Sequence, residues 1–78
     1  MKQVVLVTGG SSGIGKSIGE YLTSKEFTVY GTTRDTSKYP DFTDFNLIDL
    51  DVRKPETIKK AVQIIFEKEG RLDVLINN

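Results

Sequence analysis

The residues best suited to chemistry lie near the start of the chain, in the run "GGSSGIGKS" from Gly9 to Ser17. Gly9, Gly10, Gly13 and Gly15 crowd the junction between an apolar run and a helix-like run. Such a junction cradles phosphate. Glycines let the backbone turn sharply and approach a ligand closely, and a helix N-terminus offers unpaired N–H groups and the positive end of a dipole. Two patterns overlap here. Read from Gly10, the run is G-x-x-x-x-G-K-S, a triphosphate loop in which Lys16 reaches the outer phosphates and Ser17 a magnesium ion. Asp49, closing "LID", would then serve as the strand aspartate. Read from Thr8, it is T-G-x-x-x-G-x-G, a dinucleotide loop. The loop by itself says phosphate without naming the molecule.

A dinucleotide loop makes a second demand, for a residue about 20 positions beyond the glycines that reads the ribose. Arg34 stands there, at the end of "FTVYGTT". An acidic residue at that place suits a free 2′-hydroxyl, whereas arginine suits a 2′-phosphate through charge-assisted hydrogen bonds. Thr33 beside it is neutral and repels nothing. The dinucleotide pattern thus accounts for more residues than the triphosphate one.

Composition removes other chemistries. The 78 residues contain no cysteine and no histidine, so thiolate nucleophiles, disulfides and the commonest general base and metal ligand are absent. Lysine plus arginine and aspartate plus glutamate stand at 11 each, with no basic block, which argues against a nucleic-acid partner. Asp41, Asp44, Asp49 and Asp51 read as a solvated acidic stretch, since a hard-metal site needs several converging oxygens. No run has the length of a signal peptide or a membrane span, and the expectation is a cytoplasmic protein with no membrane partner.

These residues need a scaffold, and the hydrophobic pattern supplies one. "QVVLVT" is a β-branched run of the kind buried on both faces in a parallel sheet. "GIGKSIGEYLTSKE" is a helix with Ile14, Ile18, Tyr21 and Leu22 on one face. Gly15 and Gly19 share a stripe, and their helix-propensity cost of about 0.5–1 kcal/mol each points to close packing. "FTVYGTT" and "FNLIDLDV" are strands, separated by the polar connection "RDTSKYPDFTD". "PETIKKAVQIIFEKEG" is a helix with Pro55 at its first position, Gly70 as its stop, and a stripe of Ile58, Ala61, Val62, Ile65 and Phe66. "RLDVLINN" is a last strand. Strands alternating with helices imply parallel pairing and right-handed crossovers in one domain.

Taken together, "VTGGSSGIG", "VYGTTR", "LDV" at Leu50 to Val52 and "LDVLINN" resemble the short-chain dehydrogenase/reductase family over the whole chain. The resemblance implies an α/β, Rossmann-like parallel sheet, partial in extent, with order β-α-β-β-α-β along the chain and strands 3-2-1-4 across the sheet. It implies NADP(H) as cofactor. Thr8, Gly9, Gly13 and Gly15 match the family's glycine motif. Gly10, Ser11 and Ser12 would border the pyrophosphate, Ile14 the nicotinamide ribose, and Thr33 and Arg34 the 2′-phosphate. Asp51 and Val52 would contact the adenine, Asn78 would lie near a ribose, and Asn77 would brace the sheet. A second basic residue that some members carry just before Gly13 is replaced here by Ser12.

The family's chemistry is hydride transfer between nicotinamide and a small carbonyl or alcohol substrate, in proteins that form homo-oligomers. Its catalytic Tyr-x-x-x-Lys and serine lie beyond the Asn-Asn segment. The resemblance therefore implies that residues 1–78 are the N-terminal part of an NADP-binding domain, with no catalytic residue of their own. Tyr21 and Lys25 have the same spacing, but Tyr21 continues the apolar stripe about 12 Å down the helix from the phosphates. It reads as a packing tyrosine beside a solvated lysine.

Overall fold

The computed structural model describes residues 2–78. Along the chain run β1 (Val4–Val7), α1 (Gly13–Ser24), β2 (Thr28–Thr33), β3 (Asn46–Asp49), α2 (Pro55–Glu69) and β4 (Val74–Ile76), with a single 3₁₀ turn at Thr36–Lys38. The four strands form one parallel sheet in the order β3-β2-β1-β4. Leu6 lies opposite Tyr30 on one side and Leu75 on the other, so β1 is central. All four of its residues are buried, as a strand covered on both faces must be.

Alternation along β1 divides the core in two. Val4 and Leu6 join Tyr30 and Ile65 beneath α2, with Ile48 and Leu72 at the margin. Val5 and Val7 join Val29 beneath α1, with Ile18, Leu22, Phe27, Phe45 and Ile76 packed around them. The helices thus cover opposite faces, as right-handed crossovers to either side of a central strand require. The chain passes to β2 and β3 on one side of β1 and to β4 on the other. The carboxyl end of β1 is therefore the point at which the winding reverses, where open α/β sheets form their crevice.

The expected strand order and the limits of α2 are found, while α1 ends at Ser24, two residues short of the expected run. α2 begins with Pro55 in its first turn and ends at Gly70, whose φ of 74° is the left-handed cap that glycine provides. "FNLIDLDV" forms a shorter strand than its apolar content suggests. The Leu50 N–H still donates to the Thr33 carbonyl at 2.9 Å, but the Thr57 hydroxyl accepts the Asp51 N–H at 2.8 Å and the Lys54 N–H donates to the Asp51 carbonyl at 2.8 Å, which turns Asp51 and Val52 out of the ladder and into the start of α2.

The helix stripes need correction. On α1 only Gly15 and Gly19 are buried; Ile18 and Leu22 pack at the margin, whereas Ile14 and Tyr21 are 73% and 61% exposed. On α2, Ala61 and Ile65 are buried, but Ile58 and Phe66 lie open at 38% and 49%. Both helices sit against a narrow sheet, so the outer part of each apolar face extends past the strands. Tyr21 is therefore not a packing residue. It stands in solvent with the Lys25 ammonium 5.6 Å from its ring centre.

Candidate nucleotide site

The loop after β1 is held from both sides. On the β2 side, the Gly9 N–H donates to Thr32 Oγ1 at 3.1 Å and the Gly10 N–H to the Thr32 carbonyl at 3.0 Å. On the β4 side, the Thr8 hydroxyl accepts the Asn78 N–H at 2.9 Å and directs its proton toward Asn77 Oδ1 at 3.3 Å and the Ile76 carbonyl at 3.4 Å. Thr8 thereby ties the glycine loop to the Asn77–Asn78 pair across the whole length of the sequence.

Two of the loop glycines are required by contact, and two, Gly9 at φ 64° and Gly13, chiefly by conformation. A Cβ on Gly15 would run into the Gly9 carbonyl and the Asn78 amide, and a Cβ on Gly10 would meet Gly31 Cα at 2.9 Å. Gly13 has φ 59° and open space around it, so its need is the left-handed backbone that opens α1. Ser12 occupies the helix cap without a side-chain capping bond, and the first turn carries no acidic residue. First-turn N–H groups and an unopposed dipole thus face the loop, which is the arrangement that attracts phosphate.

Beside the loop lies a cleft of about 530 Å³, within the roughly 300–1,000 Å³ usual for ligand pockets. Gly9, Ser11, Ser12, Thr33, Arg34, Asp51, Val52 and Asn78 line it, so the sequence-expected contacts from four separate segments meet in one place. Gly10 and Gly15 are buried beneath the loop rather than in its wall, and Gly13 forms the helix start. Ile14 is exposed and borders a neighbouring apolar hollow with Ile18, Tyr21, Leu22 and Ile76.

Thr32, Tyr39, Leu50 and Arg53 also line the cleft and were not singled out by the sequence. Thr32 and Leu50 adjoin expected residues, and adjacency was the available signal. Tyr39 is brought in by the 3₁₀ turn, which leaves no periodic trace. Arg53 is two residues past Asp51 and folds back on it, with Nη2 2.9 Å from Oδ2. That guanidinium holds the Asp51 carboxyl well below the usual carboxylate range, chiefly by hydrogen bonding.

Charges around the cleft separate the two loop patterns. Lys16 Nζ lies 3.7 Å from Asp44 Oδ2 and 5.9 Å from the centre of the Phe42 ring. It is thus engaged with the segment before β3 and borders a different hollow, with Lys38, Tyr39, Phe42 and Asp44. Asp49 accepts the Thr36 N–H at 2.7 Å on the edge strand, away from the loop. Neither residue takes the position that a triphosphate loop demands. Asp35, the carboxylate nearest Arg34 in sequence, caps its own turn, accepting the Ser37 N–H at 3.0 Å and the Ser37 hydroxyl at 2.6 Å. Asp44, Asp49 and Asp51 each have a different partner, and no acidic cluster able to hold a metal forms among the described residues.

Fold and site together define an α/β protein of the Rossmann-like class, with a glycine loop at the switch point of a parallel sheet. Residues 3–78 match the family model for short chain dehydrogenase, and the chain belongs to that family. It is 38% identical to a 3-ketodihydrosphingosine reductase of Bacteroides thetaiotaomicron, over 97% of this chain and 28% of that protein. The ligand-free aldohexose dehydrogenase of Thermoplasma acidophilum superposes with a TM-score of 0.87 at 32% identity, over 99% of this chain and 29% of that one. ElxO with NADP bound superposes with a TM-score of 0.84 at 34% identity, over 100% of this chain and 35% of that one. The chain thus spans about a third of the length of the relatives it matches. Among the described residues, no helix is long and apolar enough to cross a membrane.

Proposed function

We propose that this chain is the NADP(H)-binding, N-terminal portion of an oxidoreductase that acts on a small carbonyl or alcohol. The observation that carries the reading is Arg34. It lines the cleft at the end of β2, while Asp35, its neighbour in sequence, is committed to Ser37, and Asp51, the acid that lines the same cleft, to Arg53. A guanidinium whose neighbouring acids are engaged elsewhere favours a 2′-phosphate over a 2′-hydroxyl. The NADP held by the structural relative ElxO supports the same choice.

In this reading the α1 N-terminus and the Ser11 and Ser12 hydroxyls hold the pyrophosphate. Arg34 and Thr33 hold the 2′-phosphate, Asp51 and Val52 the adenine, and Asn78 a ribose. Nicotinamide, when bound, supplies or accepts hydride. These residues bind and orient the cofactor and leave the proton chemistry to other groups. Tyr21 and Lys25 do not fill that role, because neither lines the cleft.

The test is a titration of NADPH, NADH and magnesium ATP into the chain and two variants. Arg34→Ala removes charge-assisted bonds worth about 1.5–3 kcal/mol, roughly a tenfold to hundredfold loss for NADPH, with NADH nearly unchanged. Lys16→Ala, which breaks a screened pair with Asp44 and a contact over the Phe42 ring, leaves NADPH binding within about twofold. A greater loss from Lys16→Ala than from Arg34→Ala, accompanied by magnesium-dependent ATP binding, would reverse the assignment.

A further inference from the structure

The crossover from β2 to β3, residues 34–45, carries a single 3₁₀ turn where parallel strands are usually joined by a helix. Its last residue, Phe45, packs against Val5, Val7 and Val29 beneath α1. The two sides of its ring meet different elements. A Cβ on Gly19 of α1 would strike Cε2 and Cζ, and a Cβ on Gly31 of β2 would lie 2.5 Å from Cε1. A Cβ on Gly10 of the phosphate loop would lie 3.4 Å from the same Cε1. Gly19 and Gly31 have no side chains of their own, so at this level the ring is the spacer between helix and strand. Phe42 braces it edge-on, with the ring centres 4.9 Å apart.

The two elements that the ring separates carry different halves of the nucleotide site. α1 presents an N-terminus with no acidic residue in its first turn, and β2 ends at Thr33, next to Arg34. We infer that Phe45 is a positioning residue: it sets the distance between the pyrophosphate cradle on α1 and the guanidinium of Arg34, and so takes part in the choice of a 2′-phosphorylated dinucleotide. This rests on the cofactor reading above. A ligand with both phosphate groups must engage both halves at once, and such constellations tolerate misplacement of only about 0.5 Å. A ligand with a free 2′-hydroxyl uses the α1 half and makes no such demand on the spacing. Close-packed interiors transmit strain instead of absorbing it. Without the ring, α1 settles toward β2, and the cradle shifts relative to Arg34.

Phe45 does not line the cleft, so its replacement removes no contact with the ligand. Dissociation constants for NADPH and NADH would be measured for the unaltered chain, Phe45→Ala and Phe45→Leu, with far-ultraviolet circular dichroism confirming the fold. The unaltered chain should prefer NADPH by about tenfold or more, as charge-assisted bonds at Arg34 require. Phe45→Ala should cut that preference by about threefold or more, through weaker NADPH binding. Phe45→Leu, which keeps much of the bulk, should cut it less. Arg34→Ala should then cost less NADPH affinity in the Phe45→Ala background than alone, whereas independent sites add to within about twofold. Should the alanine variant fail to fold, Phe45→Val takes its place with the same threshold. A smaller fall in preference, or equal losses for the two cofactors, would overturn the inference and leave the cofactor reading standing, with the ring serving stability alone. Binding of neither dinucleotide, or of both equally, by the unaltered chain would overturn the cofactor reading and the inference with it.

Discussion

At the scale of single residues, several glycines serve packing as much as ligand approach. A Cβ on Gly19 or Gly31 would enter the ring of Phe45, and one on Gly10 would touch it. Phe45 thus fills a notch made by three glycines from α1, β2 and the phosphate loop, braced edge-on by Phe42 at 4.9 Å. The ring sets how closely the loop lies against β2. Gly19→Ala gains about 0.5–1 kcal/mol of helix propensity but must displace a rigid ring, an overpacking cost of about 1–3 kcal/mol. The net expectation is destabilisation in urea unfolding. In a Phe45→Ala background the same substitution should be neutral or stabilising, and a penalty that persists there would count against the wedge. Gly19 lies outside the phosphate-loop pattern. Its place on the Gly15 stripe was legible as close packing, but its partner Phe45 was not, because Phe45 arrives from a segment with no regular pattern.

At the scale of elements, β2 and the end of α2 are joined by a buried phenol. Tyr30 is 1% exposed, and its hydroxyl donates to Glu69 Oε2 at 2.7 Å. Burial, then the Glu69 hydrogen bond and charge, push its pKa up to about 12. The folded state therefore binds this proton more tightly than the unfolded chain, whose tyrosine titrates near about 10. By linkage, the stabilisation is complete below about pH 10 and is lost as pH rises through about 12. Absorbance titration at alkaline pH should show one tyrosine ionising last. Glu69→Gln should bring that step down, since it removes the negative charge facing the phenolate. An unshifted step would mean that burial alone sets it. At this scale the sequence was informative about α2, whose proline start and glycine stop are local signals. It was not informative about the end of β3, where the Thr57 hydroxyl, not hydropathy, ends the strand.

At the scale of the whole molecule, the sheet has two edges and incompletely covered faces. β4 is one edge, with Val74 and Leu75 at 38% and 60% exposure. Ile14, Tyr21 and Ile76 border an apolar hollow on the same side, and Phe66 stands open on α2. An uncovered apolar strand edge invites pairing with another strand. The chain in isolation is therefore expected to self-associate. Sedimentation at tens of micromolar should show species heavier than a monomer, and Leu75→Lys should shift the distribution toward monomer by placing a charge on the edge. A compact monomer across that concentration range would count against the expectation.

The sequence by itself determined the class of fold and the kind of ligand chemistry. Its glycine spacing, its alternation of strand and helix patterns, and the basic residue closing β2 are local features, each carried by adjacent residues whose covalent and steric preferences act without the rest of the chain. Tertiary structure decided what those residues face. It turned Lys16 to Asp44 and Phe42, committed Asp35 to its own turn, brought Arg53 onto Asp51 and left Tyr21 in solvent. Each outcome depends on contacts between side chains and segments whose approach no periodicity records. Orientation is set by which neighbour is close enough to bond, and that is known only when the chain has folded.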